Sequence, residues 1–244
     1  MMNILITGIS GRMGQAVKQA VELNPATQVT ATHDIGQDVA AAMQAADIAI
    51  DFSFHGFTPE LLATAVAQGK PLVIGTTGHT AEEKAAIQQA AKSIPIVFAS
   101  NYSVGVNTLF WLTRKATRIL KDYDIEIIEM HHHHKLDAPS GTARTLAEVV
   151  CEETGLDYEK DVMHGRNGIV GARPQAQIGM HSMRGGDVVG DHTVMYATDG
   201  ERLELTHKAS SRMTFSTGAV RAALWLADKP AGLYNMQDVL GFTD

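Results

Sequence analysis

The run from His131 to Ala143, HHHHKLDAPSGTA, combines groups that handle protons with a turn that can bind an anion. The four imidazoles can gain or lose a proton near neutral pH, and Lys135 adds a positive charge. Ser140 is predicted to be the N-cap of a helix that continues through Leu146 and Val150. The amides of its first turn and the positive end of the helix dipole would bind a carboxylate or phosphate. The sequence therefore predicts an acid–base site beside an anion site.

A metal site is an alternative explanation for the four histidines. Neighbours on an extended strand point to opposite faces, so at most two of them would converge. No cysteine or acidic residue accompanies them at metal-binding spacing, and zinc needs three or four ligands. We therefore expect no metal. For His133 and His134, a solvated loop without a chemical role remains open, and Pro139 and Ser140 by themselves are ordinary helix-start residues.

The segment before the histidines must position them. From Asp124 to Met130 the chain alternates acidic and apolar side chains, which predicts a strand with one buried face. The imidazoles then lie at or just beyond the C-terminal end of this strand, and Pro139 favours an extended or turning backbone at Ala138.

A second candidate site lies near the N terminus. Gly8, Gly11 and Gly14 stand between an apolar strand and a helical stripe, in the spacing GxxGxxG. Such glycines permit a tight turn and the close approach of a pyrophosphate, which favours a dinucleotide site over a purely structural βαβ unit. Asp34 ends the next strand, twenty residues past Gly14, where an acidic group binds ribose hydroxyls; a cap or turn role is its alternative. Ile35 supplies no cation for a 2′-phosphate, which favours NADH over NADPH.

Further strands and helices alternate after Asp34, and the strands are continuously apolar, as in a covered parallel sheet. Small polar loops follow these strands at the edge where open α/β sheets bind ligands. For Thr76 and Thr77 we expect contact with the nucleotide, and for Ser53 a loop role. The predicted strands are 46–52, 71–75 and 94–99, and the predicted helices are 59–68 and 81–91.

Beyond Val104 the pattern changes to α+β. A helix around Leu109 to Leu120 precedes the histidine strand, and three alternating segments, 175–183, 191–198 and 201–209, are predicted to be long antiparallel strands. The helix 214–226 is apolar enough to pack on the first domain. The predicted fold is therefore a Rossmann-type doubly wound parallel sheet with a second α+β domain on a mixed or antiparallel sheet. Residues 1–103 and 213–244 would bind the dinucleotide, and residues 104–212 would bind substrate and mediate oligomerisation.

Composition restricts the class of protein. The chain has 244 residues and a formal net charge of −7, which disfavours a nucleic-acid partner because such proteins carry a basic stripe. Cys151 is the single cysteine, so a reducing, cytoplasmic compartment is expected. Neither a signal peptide nor a long apolar span is recognised, so no membrane association is expected.

Several separated motifs resemble the 4-hydroxy-tetrahydrodipicolinate reductase family, also called dihydrodipicolinate reductase. They are GISGRMG, GTTG, ASNYSVGVN, EIIEMHHHHKLDAPSGTA, RGGDVVGDHTVMY and ERLELTHKASSRMTFSTGAVRAALWL, and they cover nearly the whole chain. The resemblance implies hydride transfer from NADH or NADPH to a small dicarboxylate, 4-hydroxy-tetrahydrodipicolinate. The products would be tetrahydrodipicolinate and water, in lysine and diaminopimelate biosynthesis, and the enzyme would be a homotetramer.

The resemblance also implies roles for single residues. His131 would be the acid–base histidine and Lys135 the proton donor, with the division between them left open. The substrate would be bound by His132, Ser140, Gly141 and Thr142. The nucleotide would be bound by Gly8, Ile9, Ser10, Gly11, Arg12, Met13, Asp34, Gly75, Thr76, Thr77, Ala99, Ser100, Asn101 and Tyr102.

Two departures from the family pattern bear on cofactor choice. Ile35 stands where an arginine often follows the acidic ribose residue, and the segment 34–47 is shorter than in longer members. Arg12 could partly supply the missing charge. Two other functions remain open: a different oxidoreductase of the same two-domain plan, such as an aspartate or amino-acid dehydrogenase, and a nucleotide sensor without catalysis.

Overall fold

The computed structural model describes residues 1–242. It divides into two compact units, one formed by Met1–Val104 with Arg212–Asp244 and the other by Gly105–Ser211. In chain order the elements are β1 (Met2–Thr7), α1 (Arg12–Leu23), β2 (Thr27–His33), α2 (Val39–Gln44), β3 (Ile48–Asp51), α3 (Thr58–Gln68), β4 (Leu72–Ile74), α4 (Ala81–Ala90), β5 (Pro95–Phe98), α5 (Val104–Ile119), β6 (Asp124–His131), α6 (Gly141–Thr154), α7 (Tyr158–Asp161), β7 (Val162–His164), β8 (Ile178–Arg184), β9 (Gly190–Thr198), β10 (Glu201–Ala209), α8 (Met213–Leu226), β11 (Gly232–Tyr234) and α9 (Met236–Leu240).

The first unit is built on a six-stranded parallel sheet with the order β11-β5-β4-β3-β1-β2. Alternate residues of its strands enter two apolar cores, so both faces are covered. Helices α1, α8 and α9 cover one face and α2, α3 and α4 the other. The chain reverses its winding direction between β1 and β3, which is where a doubly wound sheet opens a ligand crevice. The predicted Rossmann-type sheet is confirmed.

The second unit is built on a mixed sheet with the order β10-β9-β6-β8-β7. One face packs on α5 and α6 through a core that includes Ile127, Leu146, Val150 and Tyr196. On the opposite face of β6, Glu126 accepts hydrogen bonds from Arg166, Arg173 and His181. The Arg173 guanidinium also donates to the carbonyls of Ile125 and Gln177, which fastens the loop before β8 onto β6.

The direction predicted for the segment 175–183 was wrong. Its strand, β8, runs parallel to both β6 and β7 instead of antiparallel. The physical reason is the connection, because α6 and the loop after β7 each carry the chain back to the starting edge of the sheet. Side-chain alternation reports which face is buried and carries no information on direction. The segments of β9 and β10 are antiparallel, as predicted.

Five short elements were not predicted: α2, α7, β7, β11 and α9. Each has three to six residues, which is too short for a periodic pattern to emerge. Helix α2 lies in the shortened segment 34–47, where the Asp38 carboxylate caps it by accepting from the amides of Ala40 and Ala41. The short segment therefore still supplies a helix between β2 and β3.

Candidate active site

The glycine-rich turn of the first unit follows β1 at the edge where the parallel strands end. Gly8 has φ +76°, a backbone conformation that favours glycine. A Cβ at Gly14 would lie 2.1 Å from the Gly8 carbonyl oxygen, so only glycine lets α1 approach the turn this closely. Gly11 is the N-cap of α1. The turn thus presents the N-terminal end of a twelve-residue helix beside β1, which suits a pyrophosphate.

A cleft of about 200 Å³ opens beside this turn. Four of its lining residues were predicted to bind the nucleotide, namely Gly8, Ser10, Gly11 and Asp34. The others were not, and they are His33, Ile35, Phe52, Ser53, Phe54 and Phe57. The His33 ring stacks on Phe57 with 4.8 Å between centroids. Aromatic residues at strand ends are common core features, so no local pattern marked these as cleft residues.

Asp34 lies in this cleft at the end of β2. Its carboxylate accepts from the Ser10 amide, with 3.1 Å between the Ser10 nitrogen and Oδ2. Ile35, the next residue, is 88% exposed. Asp34 therefore joins the second strand to the glycine-rich turn and places a negative charge at the cleft.

Beneath the cleft, Asp51 is fully buried at the end of β3. Its carboxylate accepts from the hydroxyls of Thr7, Ser53 and Thr76 at 2.5, 2.5 and 2.6 Å. Thr76 also accepts from the Ser53 amide at 2.8 Å. The side chain of Thr76 is thus committed to the protein itself, whereas Thr77 beside it is exposed.

Tyr102 is 1% exposed, and its hydroxyl donates to the carbonyls of Ile74 and Val97. The Tyr102 ring therefore lies in the core, its hydroxyl proton is used within the protein, and the predicted nucleotide contact of this residue falls to its backbone. Burial raises the pKa of this phenol well above its usual value. Ser100 is exposed, and Ala99 and Asn101 are half-buried, in the same loop. A Cβ at Gly218 of α8 would lie 1.8 Å from the Tyr102 carbonyl oxygen, so α8 packs directly on this loop.

In the second unit, β6 delivers His131 at its final residue, with 8% of the residue exposed. His131 Nδ1 lies 2.6 Å from Oε2 of Glu129, which faces the same side of the strand two residues earlier. Arg184 lies opposite His131 on β8, and both of its terminal nitrogens donate hydrogen bonds to the Glu129 carboxylate, at 2.8 and 2.9 Å. Burial opposes ionisation of this carboxyl, but the contacts with His131 and Arg184 lower its pKa to about 2. Glu129 is therefore a buried carboxylate.

Ser140 is the N-cap of α6, as predicted, and its hydroxyl accepts from the Ala143 amide. The Ser140 amide donates to Glu129 Oε1 at 3.2 Å, and its hydroxyl lies 3.0 Å from Nε2 of His192. Ser140 is 2% exposed and bonded in three directions, so its side chain supports the start of α6. Its contact with substrate stays a prediction. Gly141 and Thr142 follow in the first turn, where amides have no preceding carbonyl within the helix.

The lysine and the remaining histidines lie in the turn after β6. Lys135 Nζ is 2.8 Å from Asp137 Oδ1, and the His132 amide donates to the Val188 carbonyl at 2.8 Å. His133 is exposed and lies 2.9 Å, through Nδ1, from the Gly186 carbonyl, while His134 is exposed against the His133 ring. His131 alone of the four belongs to the strand. In residues 1–242, no cluster of three His, Cys, Asp or Glu side chains could hold a metal ion.

Glu129, Arg184 and His192 were not singled out from the sequence. The alternation in β6 places Glu129 on the His131 face, so that signal was present. Arg184 and His192 follow His131 by more than fifty residues and reach it only through sheet pairing. The His192 ring is 5.2 Å from that of His131, and burial lowers the pKa of His192 to about 3.

In the part of the chain that the structure describes, no helix is long and apolar enough to cross a membrane. The dihydrodipicolinate reductase N-terminal domain matches residues 2–102, and the C-terminal domain of the same family matches residues 105–240.

Relatives were found over the full length. A 4-hydroxy-tetrahydrodipicolinate reductase of Akkermansia muciniphila is 66% identical over 100% of this chain and 99% of its own. Another, of Chromobacterium violaceum, is 48% identical over 98% of both chains.

Solved structures show the same fold. A dipicolinate-bound dihydrodipicolinate reductase from a Paenisporosarcina species has a TM-score of 0.78 at 23% identity, covering 98% of both chains. An aspartate dehydrogenase from Thermotoga maritima has a TM-score of 0.50 at 12% identity, covering 94% of this chain and 98% of that one. Both family domains and the full-length relatives agree, and the chain belongs to the 4-hydroxy-tetrahydrodipicolinate reductase family.

Proposed function

We propose that the chain reduces 4-hydroxy-tetrahydrodipicolinate with a reduced pyridine nucleotide, releasing tetrahydrodipicolinate and water. One observation carries this proposal beyond family membership. A strand-end imidazole, His131, is held by a buried carboxylate, and that carboxylate also accepts from the amide that begins α6. A proton-exchanging group and an anion-binding helix end are therefore fixed together, as a dicarboxylate substrate requires.

The residues of the first unit fit a dinucleotide. The glycine-rich turn, the Asp34 carboxylate and the apolar walls of the adjoining cleft offer sites for a pyrophosphate, a ribose and an adenine in turn. We assign to the nucleotide site Gly8 to Met13, Asp34, Gly75 to Thr77 and Ala99 to Tyr102, the last through its backbone. When bound, the reduced nicotinamide supplies the hydride.

The second unit supplies the proton and the substrate contacts. Loss of the carbon 4 hydroxyl as water gives a conjugated imine in the ring. Hydride addition at carbon 4 of that imine then leaves electron density towards the ring nitrogen or an enamine carbon, which a nearby cation must stabilise or protonate. Lys135, with an ammonium group, is assigned as the proton donor and His131 as its acid–base support, which is typically worth about 10²- to 10⁴-fold in rate. The amides of Gly141 and Thr142 bind one carboxylate, and His132 binds the substrate laterally.

The test is steady-state kinetics on freshly prepared 4-hydroxy-tetrahydrodipicolinate, followed by loss of the reduced nicotinamide absorbance. Lys135→Ala should lower kcat by at least about 10²-fold while NADH affinity, measured by fluorescence, stays within about twofold. Lys160→Ala is the matched control, because its side chain is 80% exposed on the same unit. Nucleotide binding without turnover by the parent chain would instead support a sensor, and turnover of an amino acid would support an amino-acid dehydrogenase.

We further propose a preference for NADH. The Asp34 carboxylate would repel a 2′-phosphate, and Ile35 offers it no positive charge. The ratio of kcat/KM for NADH and NADPH tests this, and Ile35→Arg should shift that ratio towards NADPH. A large advantage for NADPH in the parent chain would contradict the preference.

We also propose a homotetramer in the cytoplasm, with residues 104–212 forming the subunit contacts. β10 is an edge strand of the second sheet, with Leu203 43% exposed on it, and an edge strand offers unpaired backbone groups to another chain. Light scattering after gel filtration measures the mass. A monomer at micromolar concentration would contradict the tetramer, and cell fractionation tests the compartment.

A further inference from the structure

Glu129 gathers hydrogen bonds from three separate segments. Its carboxylate accepts from His131 Nδ1 at 2.6 Å, from two nitrogens of Arg184 at 2.8 and 2.9 Å, and from the Ser140 amide at 3.2 Å. The side chain has no exposed surface. Four donors match the lone-pair sites that two carboxylate oxygens offer. The group is thus fully bonded and cannot rotate without losing a contact.

This bonding decides how His131 presents its ring. A carboxylate accepts only, so Nδ1 must carry the proton and Nε2 is the nitrogen left for proton exchange. A Cβ built at Gly190 would lie 3.0 Å from Nε2. Glycine at this position therefore leaves room beside the nitrogen that exchanges protons.

We propose that Glu129 is the positioning residue of the active site, fixing the tautomer and orientation of His131 and holding it at a set distance from the substrate-binding end of α6. This inference rests on the proposed function, which supplies the roles of His131 and of the α6 amides. Glu129 touches neither substrate nor nucleotide in this scheme and acts through its neighbours.

The Glu129 charge also acts on the protonated ring. Three titratable or charged groups lie next to His131: the Glu129 carboxylate on the same strand, the His192 ring on β9 at 5.2 Å, and Arg184, its neighbour on β8, which binds the same carboxylate. His207 on β10 and Lys135 in the following turn act on His192. Removal of Glu129 would leave the Arg184 cation without its counter-charge beside the imidazole. The protonated ring would then be disfavoured, because it would face a like charge.

The experiment compares Glu129→Gln with Glu126→Gln. Glu126 is a well-matched control: it lies on the same strand, its side chain is 12% exposed, and it binds two arginines and a histidine. However, it occupies the opposite face of the sheet. The holoenzyme variants are assayed for the pH dependence of kcat, and proton NMR of the folded protein follows the downfield resonance of the His131 Nδ1 proton.

For Glu129→Gln we expect kcat to fall by at least about tenfold and its pH profile to differ from that of the parent chain, because a neutral carboxamide no longer fixes the tautomer of His131. The Nδ1 resonance should move upfield or vanish, because its acceptor is no longer charged. Glu126→Gln should leave both readouts unchanged.

A second variant separates positioning from general stability. Glu129→Gln combined with Arg184→Met removes both charges, so it restores folding if the unpaired Arg184 is what destabilises the single variant. The Nδ1 resonance should remain perturbed in this double variant. Overlapping pH profiles and an unchanged Nδ1 resonance in Glu129→Gln would overturn the proposal. If the parent chain shows no reductase activity, the proposed function fails, while the NMR comparison still decides whether Glu129 controls His131.

Discussion

Asp51→Asn isolates what the buried carboxylate beneath the nucleotide cleft contributes. Oδ1 accepts from Thr7 and Ser53, and Oδ2 accepts from Thr76. An asparagine can turn its oxygen towards the first pair but must then place its amide nitrogen against Thr76. Thr76 already accepts from the Ser53 amide, so its own hydroxyl proton would lose its acceptor.

The magnitude follows from these contacts. One bond to a charged group is lost and a buried hydroxyl is left unsatisfied, which costs about 1–3 kcal/mol. The other two bonds weaken when the acceptor loses its charge, and relief from burying a carboxylate offsets part of that loss. We expect a net decrease of about 2 kcal/mol in the free energy of unfolding of the first unit. That corresponds to a fall of about 4–8 °C in Tm.

Urea denaturation and calorimetry measure the effect, with Thr32→Val as the control. Thr32 is exposed on β2 of the same sheet, so its replacement should change stability by less than about 0.5 kcal/mol. Thr7 ends β1, and Ser53 and Thr76 lie in the loops after β3 and β4, so the KM for nucleotide should rise while the KM for substrate does not. Unchanged or increased stability in Asp51→Asn would show that the cost of burying the carboxylate exceeds the value of its three hydrogen bonds.

Three further outcomes follow from the structure. Gly14→Ala should destabilise the first unit and abolish nucleotide binding in a fluorescence titration, because the added methyl would lie 2.1 Å from the Gly8 carbonyl oxygen. Glu126 and Glu129 have pKa values lowered from 4.5 to about 2. The stability that these two carboxylates contribute is therefore present above pH 4.5 and lost as the pH falls towards 2. The loss is on the order of 3 kcal/mol for each group. Measuring the free energy of unfolding at a series of acidic pH values tests this. Cys151, buried and with its pKa raised to about 11, should react with a thiol reagent only at the rate of unfolding, and rapid labelling of the native protein would contradict its burial.

Local chemistry explains what the sequence could predict. Continuous apolar runs identified the covered strands of the first unit, and the small hydroxyl at Ser140 identified the start of α6. Both signals arise within a few residues, so neither depends on the rest of the fold. The direction of β8 depends instead on how long connections return to the sheet. Arg184 and His192 likewise become neighbours of His131 only after β8 and β9 have paired with β6.

Both units contain a buried carboxylate that accepts hydrogen bonds from neighbouring loops. Asp51 and Glu129 are carboxylates without exposed surface, each near the C-terminal end of a strand and each bonded to donors from other loops. A buried carboxylate is costly unless nearly all its lone pairs are used. If one loop moves away, the carboxylate loses that loop's donor and is left partly unsatisfied. The free-energy cost of this buried, partly unsatisfied group therefore opposes the movement of each loop. The loops that would hold nucleotide and substrate are therefore coupled to the sheets beneath them, which gives flexible segments the fixed geometry that hydride and proton transfer require.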